Sequence, residues 1–322
     1  MNAVTTCSGS VAYIKRMRPL LGTFVEIRAA GDPSILESAI LAAFAAIERV
    51  QRLMSFHDPE SEVSRINSAQ AGETLRVDVQ THVVLSAACS LSELTDGLFD
   101  IVTAAPLVRV GFLPAPKADE VCALAHRPDT PHSLSETNRA TYRDLELLPD
   151  CHVRWRRKGL IDLGGIAKGY AVDQALKELQ ARGLESGIVN AGGDLCSFGD
   201  QQPIHLRSPH DPTTLLSVGV LRDAAIATSA DYFTARELAG HPIGPLVDPR
   251  SGACVPFGRS VSIVARECMT ADALTKVVAL SPERAPEWLK LLEAEALIID
   301  RDGIRRCSHL RSCWYQDRGV AA

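Results

Sequence analysis

The chain has 322 residues, 46% of them hydrophobic and 23% charged, with a formal net charge of −5. That composition suits one large globular domain or two ordinary ones and excludes disorder. Charges of both signs are interspersed and no run approaches the ~20 apolar residues that span a bilayer, so neither nucleic-acid binding nor membrane insertion is expected.

Met1 to Lys15 carries no apolar stretch of signal-peptide length and no lipid-attachment box, which predicts a cytoplasmic protein. The first regular element is a strand over Thr23 to Ala29, where apolar and polar residues alternate. Asp32-Pro33 reads as an N-cap followed by proline at the first helical position. From there Leu36, Ile40, Leu41, Phe44, Ile47 and Val50 recur at helical spacing. A second helix is expected from Gln80 to Thr95, ending at Asp96-Gly97. Residues 113–137, rich in Pro, Ala, His and Asp, read as a surface excursion. The basic run Arg154 to Lys158 is interrupted by Trp155 and reads as a solvated strand end.

A third helix is predicted from Ile166 to Arg182 and stops at Gly183. Strands follow at Gly187 to Asn190, Leu216 to Leu221 and Ser260 to Ala265, and a helix begins near Thr270. Leu297 to Asp300, Arg301-Asp302-Gly303 and Ile304 to Cys307 form a closing hairpin. Without a regular βαβ rhythm, the expected fold class is α+β. The nine cysteines are odd in number and scattered; Cys89, Cys122, Cys196 and Cys268 sit in apolar settings, as reduced buried thiols do. Cys307, His309 and Cys313 lack the second ligand pair that a zinc site wants.

Three glycine-bearing or acidic segments carry the chemistry. In Ile161-Asp162-Leu163-Gly164-Gly165-Ile166-Ala167-Lys168, a strand ends in a carboxylate and two glycines admit a ligand close to the backbone. A helix then opens with its N–H groups free and Lys168 in its first turn, an anion site by its physics. It is neither GxGxxG nor the Walker GxxxxGK[ST]. Asn190-Ala191-Gly192-Gly193-Asp194 repeats the pattern of strand end, two glycines and carboxylate. In Met269 to Lys276, Asp272 sits in the first turn of a helix with Thr275 and Lys276 on the same face. That pairing suits a hard cation such as Mg²⁺, or else a capping carboxylate paired with the lysine.

Together with Leu21-Gly22-Thr23, the stretch Met54 to Asn67, Gly97-Leu98-Phe99-Asp100, Ala227 to Tyr232 and Val247 to Gly252, these segments resemble the FAD:protein FMN transferase (ApbE-like) family. The resemblance runs in order from about residue 18 to 310. It implies an ApbE-like α+β fold with mixed or antiparallel sheets, packed helices and FAD in a central cleft. Residues 1–17 would be a tail, and 18–322 one catalytic unit with room for two lobes around the cleft. The implied metal is Mg²⁺, held by the Gly165 carbonyl, Asp272 and a hydroxyl on the next turn, here Thr275. Implied flavin and adenosine contacts fall at Leu21, His57, Leu98, Phe99, Asp100, Asp162, Lys168, Tyr232 and Leu246, with the Gly192-Gly193 loop positioning the ligand.

The implied reaction transfers FMN from FAD to a Thr or Ser hydroxyl of a target protein and releases AMP. An FAD pyrophosphatase and a non-catalytic FAD-binding protein are the alternatives. Three positions depart from the family pattern: Lys276 replaces a threonine, Pro245 a histidine and His57 an aromatic. Either Thr275 turns into the metal shell, or the Lys276 ammonium stands where the cation would. His241, four residues from Pro245, is the candidate for the missing proton-handling group. Asp272, Lys276 and His241 are thus the expected catalytic residues.

Overall fold

The computed structural model describes residues 12–115, 139–208, 213–230, 236–238, 240–300, 303–307 and 315–316. The expected excursion lies outside them from residue 116 onward, as do Cys122, Tyr232, His309 and Cys313.

The chain begins with an antiparallel hairpin of β1 (Ala12–Leu20) and β2 (Thr23–Gly31). Strand β1 therefore takes in residues 12–17, assigned above to a tail. Leu20 pairs with Thr23, so the loop is the two residues Leu21 and Gly22, with φ of 56° and 70°. Both being left-handed matches the twist of the flanking strands. Helix α1 (Pro33–Met54) starts as expected: the Asp32 carboxylate accepts the Ser34 N–H at 2.9 Å and Pro33 opens the helix. Leu36, Ile40, Phe44 and Ile47 are buried, whereas Leu41 is 46% exposed and belongs to the outer face. Helices α2 (Glu62–Ser68) and α3 (Val79–Leu94) lie near a small sheet of β3 (Thr74–Arg76), β4 (Leu145–Leu148) and β5 (His152–Trp155), ordered β3-β5-β4. Trp155 ends β5 buried, its indole N–H on the Ile66 carbonyl at 2.9 Å. Helix α4 (Ala104–Arg109) closes this half.

Helix α5 (Ala167–Ala181) stops at Gly183, whose φ is +74°. Strands β6 (Ser186–Ala191), β7 (Asp194–Phe198), β8 (Gln202–Arg207), β9 (Leu215–Leu221) and β10 (Ala225–Ser229) follow. Two short hairpins come next, β11 (Arg236–Leu238) with β12 (His241–Ile243), and β13 (Leu246–Asp248) with β14 (Ala253–Val255). Strand β15 (Ser260–Ala265), helices α6 (Cys268–Leu280) and α7 (Ala285–Leu291), and strands β16 (Glu295–Asp300), β17 (Gly303–Cys307) and β18 (Tyr315–Gln316) complete the described chain.

The main sheet has the order β1-β2-β6-β7-β10-β15-β16-β17, and every pairing in it is antiparallel. Successive strand residues face opposite ways, which splits the core in two. Ala225, Ala227, Val261, Ile263 and Ile298 join the large cluster with α1, α5 and α6. Ile226, Val264, Leu297 and Ile299 face the other way and pack on Ile204, Leu206 and Val218 of the smaller sheet β18-β9-β8. Strand β15, buried along its whole length, is the seam. The fold is α+β, as expected. Among the described residues no helix is long and apolar enough to cross a membrane.

Candidate active site

The site is assembled where α5 and α6 start side by side. Gly169 makes the approach possible, since a Cβ there would lie 2.3 Å from the Cys268 carbonyl oxygen. The two helices then cap each other with buried carboxylates. Asp173 of α5 accepts the Cys268 and Met269 N–H groups of α6, both at 2.8 Å. Asp272 of α6 accepts the Gly169 N–H of α5 at 3.1 Å. First-turn N–H groups have no partner inside their own helix, so each bond satisfies a donor otherwise orphaned in the core.

This narrows the expectation that α5 opens with free N–H groups for an anion. The Ile166 and Ala167 N–H groups bond to the Leu163 carbonyl at 3.0 and 2.8 Å, and Gly169 is held by Asp272. Positive charge toward a ligand comes instead from two ammonium groups. Lys168 pairs with Asp194, and Lys276 pairs with Oδ1 of Asp272 while also donating to the Asp272 carbonyl at 3.0 Å. Both carboxylate side chains are 1% exposed and both lysines 20% or more, so the acids lie behind and the cations in front.

Burial opposes ionisation of Asp272, but the ammonium groups of Lys276 and Lys168 outweigh it and its pKa falls below the ordinary value. Burial together with the nearby Asp272 charge pushes Asp194 up to about 6 against the pull of Lys168. Burial would depress Lys168; the two carboxylates override it and raise its pKa, so the ammonium persists at neutral pH.

These lysines form one end of a cavity of about 580 Å³. Asp162, Gly164 and Gly165 border the same end. Leu98, Phe99, Leu107, Leu246 and Phe257 make an apolar wall, and Asp100, Thr228, Ser229, Arg236 and Pro245 add polar and rim positions. The volume is in the ~300–1,000 Å³ range of small-molecule sites, and one charged end with apolar walls suits an elongated ligand bearing phosphate and rings. Asp162 is fixed from behind by Asn67, whose amide bonds both the N–H and the carbonyl of Ile161 at 2.7 and 2.9 Å. Its own carboxylate holds the Gly164 N–H at 3.1 Å, and burial raises its pKa. Asp100 is pushed up to about 6 by burial, against the N–H groups of Val102 and Tyr142 at 2.7 and 3.1 Å.

Of the expected site residues, the cavity thus collects Leu98, Phe99, Asp100, Asp162, Gly165, Lys168, Leu246 and Lys276. Leu21 sits in the β1–β2 turn with its N–H on Gln51 Oε1 at 2.6 Å, outside the lining. His57 is exposed beyond the lining, near enough to Asp162 to act on its charge. Gly192 and Gly193 form the β6–β7 turn, with φ of 62° and 105°, and deliver Asp194 to Lys168 without reaching the cavity themselves. His241 lies on the exposed β11–β12 hairpin and is not part of the cavity wall. Sequence reasoning did not assign roles to Asn67, Asp173, Ser229 or Arg236.

The ligand set expected for Mg²⁺ does not offer a cation an open place. Asp272 Oδ1 is taken by Lys276 and Oδ2 by Gly169. The Thr275 hydroxyl is fully buried, 2.6 Å from the Asp272 carbonyl oxygen and 2.7 Å from Ser229 Oγ. Among the described residues no group of three His, Cys, Asp or Glu side chains is placed to hold a metal.

A model of the ApbE family matches residues 21–298. The chain belongs to the ApbE family. Among curated proteins it is 30% identical to a FAD:protein FMN transferase of Vibrio cholerae serotype O1, over 91% of this chain and 89% of that one. Among solved structures it matches the ApbE protein of Thermotoga maritima MSB8 with a TM-score of 0.80 at 28% identity, covering 92% of this chain and 97% of that one. It also matches a mutant of the flavin transferase ApbE from Vibrio cholerae, with a TM-score of 0.74 at 26% identity over 91% and 96% of the two chains. Of the segments that carried the resemblance, those around Asp162 to Lys168 and Asp272 to Lys276 meet at this cavity, with the Lys168–Asp194 and Lys276–Asp272 pairs at its charged end.

Proposed function

We propose that this protein binds FAD in the cavity and transfers its FMN moiety to a Thr or Ser hydroxyl of a target protein, releasing AMP. The observation that carries the reading is the pair of ammonium groups at one end of a cavity with apolar walls, in a chain of the ApbE family. Lys168 and Lys276 would take the pyrophosphate, while Leu98, Phe99, Leu246 and Phe257 offer area to the ring systems. The hydroxyl oxygen forms a bond to the FMN phosphorus, and the bond from that phosphorus to AMP breaks, AMP leaving with the electron pair. Such a transfer needs positioning and neutralisation of charge more than a protein nucleophile. The hydroxyl proton needs an acceptor. Asp100, raised to about 6, and Asp162, raised by burial, are the cavity carboxylates suited to take it.

A direct test is incubation with FAD and an acceptor protein, with AMP followed by chromatography. AMP that appears with acceptor and not without it supports transfer. AMP and free FMN at the same rate without acceptor would instead make the protein an FAD pyrophosphatase, and FAD binding with no AMP a non-catalytic binder.

A further inference from the structure

We infer that the Lys276 ammonium is a built-in cation that replaces a divalent metal at the pyrophosphate end of this site; the inference rests on the FAD reading above.

The place expected for the metal lies between Gly165 and Asp272, and Lys276 fills it. A Cβ on Gly165 would sit 3.4 Å from Lys276 Cε, so the lysine stem passes directly over that glycine. Its ammonium then reaches Asp272 Oδ1 and, at 3.0 Å, the Asp272 carbonyl. The i+4 spacing on α6 dictates this, because side chains four apart lie one above the other on a helix. An ammonium has three donors. Two are spent on Asp272, and the third is left for the cavity that Lys276 lines.

The alternative ligand is locked away. Thr275 would have to abandon both Ser229 and the Asp272 carbonyl and turn out of a fully buried position to meet a metal. Charge gives the same answer. Lys168 balances Asp194 and Lys276 balances Asp272, so these two pairs are neutral before any ligand arrives. With a threonine at 276 the same cluster would carry net negative charge and repel a pyrophosphate until a divalent cation reversed it. The lysine removes that requirement.

The test uses two titrations on wild type and Lys276→Thr, with Lys276→Met as a control that removes the charge and adds no oxygen ligand. In the first, Mn²⁺ is titrated into protein alone and binding is read by calorimetry. Wild type is expected to show no saturable site, and Lys276→Thr is expected to gain one. In the second, FAD affinity is measured in EDTA and in excess Mg²⁺. Wild type should bind equally in both. Loss of one charged contact weakens binding about tenfold or more, so both variants should fall by that factor in EDTA, and Mg²⁺ should rescue Lys276→Thr more than Lys276→Met.

A tenfold or greater loss of wild-type FAD affinity in EDTA would overturn the inference. So would a Mn²⁺ site in wild type as tight as in Lys276→Thr, or the absence of a gained site in a Lys276→Thr protein with a wild-type circular dichroism spectrum. If Lys276→Thr does not fold, the wild-type Mn²⁺ and EDTA results decide the matter alone. If no FAD binds to wild type in either condition, the FAD reading fails, and the Mn²⁺ titration still judges the lysine.

Discussion

Replacing Gly169 with alanine tests the contact on which the site is built. The new Cβ would stand 2.3 Å from the Cys268 carbonyl oxygen and 2.8 Å from the Met269 Cα. Both obstacles are backbone, so neither can rotate away, and α5 and α6 must separate by several tenths of an ångström. Overpacking of this kind costs about 1–3 kcal/mol. Separation also lengthens the 3.1 Å bond from the Gly169 N–H to Asp272, a buried charged hydrogen bond of the sort worth about 1.5–3 kcal/mol. Alanine returns at most about 1 kcal/mol through its better helix propensity. The net loss should be about 1.5–5 kcal/mol, a fall of roughly 2–7 °C in melting temperature at this chain length. Because α6 carries Asp272 and Lys276, FAD affinity should fall too. Differential scanning calorimetry and an FAD titration on the same preparation measure both. Wild-type melting temperature together with wild-type affinity would refute the idea that this helix contact sets the site.

Lys168→Gln should weaken FAD binding about tenfold or more, as expected for loss of a charged contact, and should destabilise the protein by leaving Asp194 unpaired at 1% exposure. Adding Asp194→Asn should restore the melting temperature and leave affinity low; recovery of affinity as well would deny Lys168 a ligand role. Asp173 gives a pH prediction. Burial pushes its carboxyl up to about 7 from an ordinary 3.8, so between those values the folded protein holds a proton that the unfolded chain has released. That contribution to stability is complete below about pH 4 and is lost as pH rises through 7. Relative to Asp173→Asn, wild type should therefore lose on the order of 2 kcal/mol between pH 5 and pH 8. A stability difference that stays constant across that range, measured by thermal melts, would contradict the shift.

What the sequence made legible was local. The Asp32-Pro33 start of α1, the Gly183 stop of α5 and the hairpin across residue 303 follow from caps and turns a few residues long, and the structure has each of them. The segments around Asp162 and Lys168 were recognisable because a carboxylate, two glycines and a helix start lie within seven residues of one another. What stayed hidden was made by pairs distant in sequence. Asp173 caps a helix 95 residues away, and Asp272 reaches back 103 residues to Gly169. Without those partners the first turn of α5 looked free for phosphate. Neighbour spacing left Thr275 and Lys276 as equal candidates beside Asp272. Ser229, 46 residues earlier, separates them by engaging the threonine hydroxyl. Leu41 shows the limit of periodicity, since a position at the edge of an apolar stripe reads as core and lies 46% exposed.

The central claim is that FMN leaves this cavity attached to a protein hydroxyl. The most direct measurement is the intact mass of an acceptor protein after incubation with this chain and FAD, with AMP quantified in the same tube. The account predicts a mass gain of one FMN less one water on the acceptor, one AMP for each FMN attached, and loss of both when the acceptor Thr or Ser is changed to alanine. FAD consumed to AMP and free FMN, with the acceptor mass unchanged, would contradict it.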